Sequence, residues 1–197
     1  MKTILSLAPV CFLLLSTSIV SAGIVGSAHD FAATDWSAGE ICLPCHTPHN
    51  ASTTATSAPL WNHLETTATF TMYNSATLQV ATETEPRGPS KLCLSCHDGT
   101  VALDSFSNMT GTNFISGAFN LGTDLSNDHP ISIKWQHQTE IPPGCGDCHF
   151  SSNPTVPFPN GFLECTTCHD VHNQTTFPSL LRLSMQGSEL CLHCHYK

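Results

Sequence analysis

The stretch Ile41-Cys42-Leu43-Pro44-Cys45-His46-Thr47-Pro48-His49 contains the pattern that decides the fold: two cysteines separated by two residues, with a histidine directly after the second. This Cys-x-x-Cys-His pattern occurs five times, at residues 42–46, 93–97, 145–149, 165–169 and 191–195. The five copies use ten of the 11 cysteines in the 197-residue chain. The eleventh, Cys11, lies in an apolar stretch at the N-terminus.

Paired cysteines have several uses in proteins. They form disulfides in oxidising compartments, structural zinc sites and thioredoxin-like redox centres. None of these uses requires a histidine directly after the second cysteine, whereas covalent attachment of c-type haem does. Two thiols one helical turn apart reach the vinyl groups on one edge of the porphyrin, and the following histidine ligates the iron from one side. The sequence therefore predicts five covalently attached c-type haems.

The predicted attachment residues follow directly from the five motifs. The thioether bonds are assigned to Cys42, Cys45, Cys93, Cys96, Cys145, Cys148, Cys165, Cys168, Cys191 and Cys194. Proximal ligation of the irons is assigned to His46, His97, His149, His169 and His195.

The second axial ligand of each iron sets the potential and reactivity of the haem. Seven further histidines are present, against four methionines, so the composition favours histidine on both faces of every iron. The predicted distal ligands are His29, His49, His63, His129 and His172. His137 is held in reserve, and His193 is set aside because it lies between two haem cysteines.

Residues 1–22 have the pattern of a signal peptide. Lys2 precedes an apolar run over 4–20, and Val20-Ser21-Ala22 is a small-residue cleavage site. Cleavage would leave one domain over 23–197, with no other apolar run long enough to span a bilayer. We therefore expect an exported protein, located in the periplasm, at the cell surface or outside the cell.

The composition also limits the fold and the partners. Six basic against 15 acidic residues give a formal net charge of −9, which argues against nucleic acid and anionic lipid as partners. The mature chain offers about 35 residues per haem, too few for an ordinary protein core, so the haems themselves are expected to form the core. The predicted fold class is a mostly irregular, small α structure: one elongated pentahaem domain with short helices around the motifs and few strands.

Local patterns add four expectations. A helix is predicted over 180–194 and a β-prone run over 68–80, where threonines alternate with apolar residues. A loop is predicted over the low-complexity segment 51–58, and irregular structure over the proline-rich segment 141–161.

Several longer stretches carry a resemblance to known proteins. These stretches cover most of the mature chain and lie at 26–31, 41–50, 59–63, 91–101, 120–130, 164–173 and 190–195. On them the chain resembles the cytochrome c3-like proteins with doubled CxxCH motifs. More closely, it resembles the OmcE-type extracellular filament cytochromes of metal-reducing bacteria.

The resemblance implies haems stacked in a continuous wire, each iron ligated by two histidines. It also implies polymerisation in which a histidine of one subunit ligates a haem iron of the next. The chain departs from these filament subunits, which carry four haems. The additional motif, 145–149, lies in the stretch that matches least, and His137 is the natural candidate for its distal ligand.

The sequence thus favours an electron carrier over an enzyme. It predicts a subunit of an extracellular cytochrome filament that exchanges electrons with redox partner proteins or extracellular acceptors. One alternative is a soluble periplasmic pentahaem shuttle. Others are a multihaem reductase with one open haem and a haem-bearing structural or adhesive surface protein.

Overall fold

Regular secondary structure is short and sparse in this protein. A computed structural model describes residues 23–78, 80, 82–134, 156–172 and 177–195. Within those ranges the order of the α-helices and strands is α1 (Gly88–His97), β1 (Ile133–Lys134), β2 (Phe162–Leu163), α2 (Cys165–Cys168) and α3 (Glu189–Leu192). Single 3-10 turns lie at Phe31–Ala33, Gly117–Phe119, Pro159–Gly161, Pro178–Leu180 and Gln186–Ser188. The predicted fold class, mostly irregular with short helices and few strands, is confirmed.

Three of the four described motifs overlap an α-helix, as expected. The motif 93–97 forms the second half of α1, the motif 165–169 contains α2, and α3 ends inside the motif 191–195. The motif 42–46 forms one hydrogen-bonded turn instead, in which the backbone N–H of His46 donates to the carbonyl of Cys42 at 2.8 Å. The motif 145–149 and His137 lie outside the described residues.

Helix α1 is the longest element among the described residues, and its ends follow from local sequence. Pro89 stands in its first turn, where the missing N–H of proline costs nothing. At the other end, the N–H of Asp98 donates to Leu94 O at 2.8 Å. Gly99 then takes a φ of +74°, a left-handed conformation that glycine adopts without strain and that ends the helix.

The apolar core of the described residues consists of two small clusters, and α1 contributes one leucine to each. Leu92 packs with Ala55 and Trp61. Leu94, which is 1% exposed, packs with Phe70 and Leu125. Helix α1 is therefore the element around which the irregular segments are arranged.

A buried carboxyl joins α1 to the second half of the described chain. Glu164, directly before α2, accepts hydrogen bonds from the hydroxyls of Ser90 on α1 and of Ser132 beside β1. Ser90 Oγ also accepts from the N–H of Cys165 at 2.9 Å. We call Ser90, Ser132 and Glu164 the Glu164 junction. The antiparallel pairing of β1 with β2 adjoins this junction, because Ile133 lies opposite Leu163 and these residues are next to Ser132 and Glu164.

The expected helix over 180–194 is wrong. The segment contains the end of one 3-10 turn, a second 3-10 turn and the four-residue helix α3. Leu180 and Ser188 have φ values of +55° and +61°, which a helix cannot contain. Between them, the backbone pairs with the motif 165–169 rather than with itself, since Arg182 N donates to Cys168 O at 2.9 Å.

The β-prone run over 68–80 forms no strand in its described part. Its extended backbone makes one isolated bridge, where Thr71 N donates to Thr123 O and Leu125 N donates to Thr71 O, at 2.9 and 2.8 Å. The loop expected over 51–58 is present. In the segment 141–161, residues 156–161 are irregular apart from one 3-10 turn, and the rest lies outside the described residues.

Replacing Glu164 with glutamine tests the Glu164 junction through pH. Burial raises the pKa of Glu164, against the opposing effect of its hydrogen bonds to Ser90 and Ser132. A carboxyl whose pKa is raised by folding contributes most to stability below its unfolded value and loses that contribution as pH rises through the folded value. We therefore expect wild-type stability, relative to Glu164→Gln, to fall as the pH rises above 4.5, the ordinary pKa of a glutamate carboxyl.

Denaturant unfolding of both proteins at acidic and neutral pH measures this difference. Glu40→Gln, at an exposed position, is the control and should differ from the wild type equally at both pH values. A Glu164→Gln difference that does not change with pH would contradict the assignment.

Candidate haem sites

Each described motif closes as one turn of helix. The N–H of the motif histidine donates to the carbonyl of the first cysteine at 2.8 Å in 42–46, 2.9 Å in 165–169 and 2.8 Å in 191–195. In 93–97 the same turn belongs to α1. This geometry places the two thiols one turn apart with the imidazole next to them, as attachment to one porphyrin edge requires.

Three motif histidines are held by a backbone carbonyl from later in the chain. Nδ1 lies 2.7 Å from Pro59 O in His46, 2.8 Å from Phe119 O in His97 and 2.8 Å from Ser179 O in His169. A carbonyl can only accept, so Nδ1 carries the proton in each case. The lone pair is then on Nε2, which is the arrangement a metal-ligating histidine needs.

The segments that supply these carbonyls also pair with the backbone next to the motif histidine. Thr47 N donates to Leu60 O at 2.9 Å, and Leu121 N donates to His97 O at 2.7 Å. Asp170 N donates to Leu180 O at 2.8 Å. We call 59–61, 119–121 and 179–181 the return segments. Each one fixes the orientation of one motif histidine.

Sequence reasoning missed the return segments. For two of them the sequence carries a signal, which is a proline at or just before the segment. Pro59 follows His46 by 13 residues, and Pro178 follows His169 by nine. Leu60 and Ser179 take positive φ values of +55° and +57°. The turn at Leu60 orients the carbonyl of the preceding Pro59 toward the His46 ring. The turn at Ser179 orients its own carbonyl toward the His169 ring.

Three pairs of histidine rings face each other across a short gap. Ring centroids are 5.9 Å apart for His29 and His97, 6.0 Å for His46 and His172, and 6.2 Å for His129 and His195. Each pair joins a motif histidine to a predicted distal ligand.

The spacing of these pairs fits an iron between them. A histidine nitrogen lies about 2 Å from the metal it ligates, and the ring centroid lies about 1 Å behind that nitrogen, so two axial imidazoles have centroids about 6 Å apart. The three observed separations agree with this value. At these three sites, the spacing of the two histidine rings therefore fits a haem ligated by histidine on both faces.

His29 has a further feature that suits a metal ligand. Its Nδ1 is buried and has no hydrogen-bond partner among the described residues. A buried polar atom of this kind is costly unless something binds it. Burial lowers the pKa of His29, as do His97 and His169, so the ring is held in the neutral form that coordinates metals.

The other predicted ligands are not brought opposite a motif histidine in the described structure. His63 is 3% exposed, and its Nδ1 and Nε2 lie 2.8 and 3.0 Å from Leu64 O and Ala102 O. His63 Nε2 is also 3.5 Å from Cys96 Sγ. The side chain of His49 is exposed. Ligation by His63 and His49 stays a prediction, and His193 lies inside the last motif.

Cysteines of different motifs lie close enough to affect one another's pKa, which shows which motifs are neighbours. Burial and the nearby Cys42 raise the pKa of the Cys45 thiol to about 11. Burial, Cys45 and Asp98 raise that of Cys96 to about 12. The influence of Cys45 on Cys96 and on Cys93 shows that the motifs 42–46 and 93–97 are neighbours.

The same kind of influence extends across the Glu164 junction. Cys93 and Cys165 influence each other: the neighbouring Cys165 thiol and burial raise the pKa of Cys93, and the neighbouring Cys93 thiol lowers that of Cys165. Burial and then Cys194 raise the pKa of Cys168, which makes the last two motifs neighbours. Among the four described motifs, 42–46 is thus a neighbour of 93–97, 93–97 of 165–169, and 165–169 of 191–195.

No helix in the described part of the chain is long and apolar enough to cross a membrane. Likewise, across the described ranges, no group of three or more His, Cys, Asp and Glu side chains is arranged to hold a metal ion by itself.

A family model described as the doubled CXXCH motif matches residues 156–197, which contain the motifs 165–169 and 191–195. No curated protein matches the chain. The matched motifs indicate covalently bound c-type haem and a chain similar to multihaem c-type cytochromes, a class of electron carriers rather than enzymes.

Proposed function

We propose that the chain transfers electrons through a series of five covalently bound c-type haems and is a subunit of an extracellular cytochrome filament. The observation that carries the electron-transfer proposal is the set of three histidine pairs with centroids 5.9 to 6.2 Å apart. Bound haem would supply a one-electron redox centre at each motif. The chain supplies attachment, axial ligation and spacing.

The order of the motifs supports transfer in series. Electron transfer needs redox centres whose edges are close, and the thioether sulfurs mark one edge of each haem. The sulfurs of Cys93 and Cys165 lie near each other, so the edges of these two neighbouring sites would be close. The Glu164 junction holds this contact, because Ser90 binds both Glu164 and the backbone of Cys165.

Histidine on both faces also argues against an enzyme. A multihaem reductase or peroxidase needs one iron with an open face, and paired histidines close it. In this proposal the three pairs close the second face at the sites of His46, His97 and His195, so none of these three would be the catalytic haem of a reductase. The predicted signal peptide over 1–22 supports export, and a soluble periplasmic pentahaem shuttle is the alternative to the filament.

The filament proposal has support from the exposure of His49. An exposed imidazole is accessible to the haem of a second subunit. We propose that His49 of one subunit ligates a haem iron of the next.

The haem count tests the cofactor proposal. We expect intact mass and a pyridine haemochrome assay on the secreted protein to give five haems per chain. The double variant Cys145→Ala, Cys148→Ala should give four, because that site loses both thioether bonds. Four haems in the wild type, unchanged in the double variant, would contradict attachment at 145–149.

Removing a distal ligand tests the histidine pairs. In the oxidised protein, His29→Ala should convert one haem from low-spin to high-spin ferric iron, because water or nothing would replace the imidazole opposite His97. Electron paramagnetic resonance measures this change. His193→Ala is the control and should stay low-spin throughout. A fully low-spin His29→Ala protein with all its haems would show that His29 is not a ligand.

Electron microscopy of the secreted fraction tests the filament. We expect filaments from the wild type and separate particles from His49→Ala, with the haem count per chain unchanged. Wild-type protein that is monodisperse and monomeric would contradict the filament and favour the soluble shuttle. Filaments formed equally well by His49→Ala would remove His49 as the linking ligand.

A further inference from the structure

Asp98 is a buried carboxylate directly after the motif histidine His97. Its side chain is 4% exposed. Charged residues are rarely buried to this extent unless they are paired. Asp98 is not among the ion pairs of the described residues, which join Arg87 to Glu83 and Arg182 to Asp170.

The two carboxyl oxygens of Asp98 have different surroundings. Oδ1 accepts from the backbone N–H of Thr100 at 2.7 Å and from the hydroxyl of Thr100 at 2.8 Å. Oδ2 is buried without a hydrogen-bond partner in the described part of the chain.

The position of Asp98 puts this charge next to a haem site. It is the residue that ends α1, and its N–H donates to Leu94 O at 2.8 Å, which fixes it beside His97. Its charge is one of the influences that raise the pKa of the Cys96 thiol to about 12, after burial and Cys45. The carboxylate therefore acts on the sulfur that would carry the haem of 93–97.

We propose that the Asp98 carboxylate lowers the reduction potential of the haem attached at Cys93 and Cys96. This inference rests on the proposed haem sites. Reduction adds one electron, supplied by an external donor, to ferric iron and gives ferrous iron, so the site loses one positive charge. A buried negative charge stabilises the ferric form more than the ferrous form, and little solvent is present to screen it.

Spectroelectrochemical titration of the holoprotein tests this proposal. Asp98→Asn keeps the shape and removes the charge. We expect it to make reduction of one haem about tenfold more favourable, which raises one midpoint potential by about 59 mV. Asp98→Glu keeps the charge and should stay near the wild type. Asp35→Asn removes an exposed carboxylate that water screens, and it should leave all potentials unchanged.

Two measurements separate the ways in which the proposal can fail. Asp98→Ser is titrated beside Asp98→Asn, so that one neutral variant is available if the other does not fold. Neutral variants with the full haem count and wild-type potentials would overturn the role of Asp98. So would an equal shift in Asp98→Glu, because geometry rather than charge would then be the cause. A wild-type protein that binds no haem would overturn the proposed function instead.

Discussion

At 42–46, 93–97 and 165–169, a backbone carbonyl from a return segment accepts the Nδ1–H of the motif histidine. This hydrogen bond fixes the tautomer and the orientation of the ring, and both must be set before an imidazole can ligate a metal. It also determines the path of the chain, because ten to 22 residues after each motif histidine the backbone has to come back to it. The scarcity of regular structure follows, since backbone groups that bind a motif are not available for long helices or sheets.

The motifs are held to one another by polar contacts rather than by a large apolar core. The two apolar clusters contain three buried residues each. The Glu164 junction connects α1 to α2 through two serine hydroxyls and a buried carboxyl, and it places Cys93 against Cys165. Burying that carboxyl costs free energy, and its hydrogen bonds offset part of this cost. In the proposed function, the same junction sets the distance between two redox centres.

Much of the site could be predicted because covalent haem attachment leaves a strict sequence pattern. The cysteines, the motif histidines and the irregular fold class all followed from the pattern Cys-x-x-Cys-His and the small number of residues per haem. The pairing of His29 with His97 could not be predicted, since it depends on how the 67 intervening residues are arranged. The helix expected over 180–194 failed because its backbone is used by a return segment, which periodicity alone does not reveal. The buried charge of Asp98 was also hidden, because burial is a property of the folded chain.

The central claim is that haem irons lie between His29 and His97, between His46 and His172, and between His129 and His195. An iron anomalous-difference map from a crystal of the holoprotein tests it most directly. The account predicts an iron peak between the two rings of each pair, within coordination distance of both. Iron peaks at the motif histidines whose second ligand is a different residue, or is missing, would contradict it.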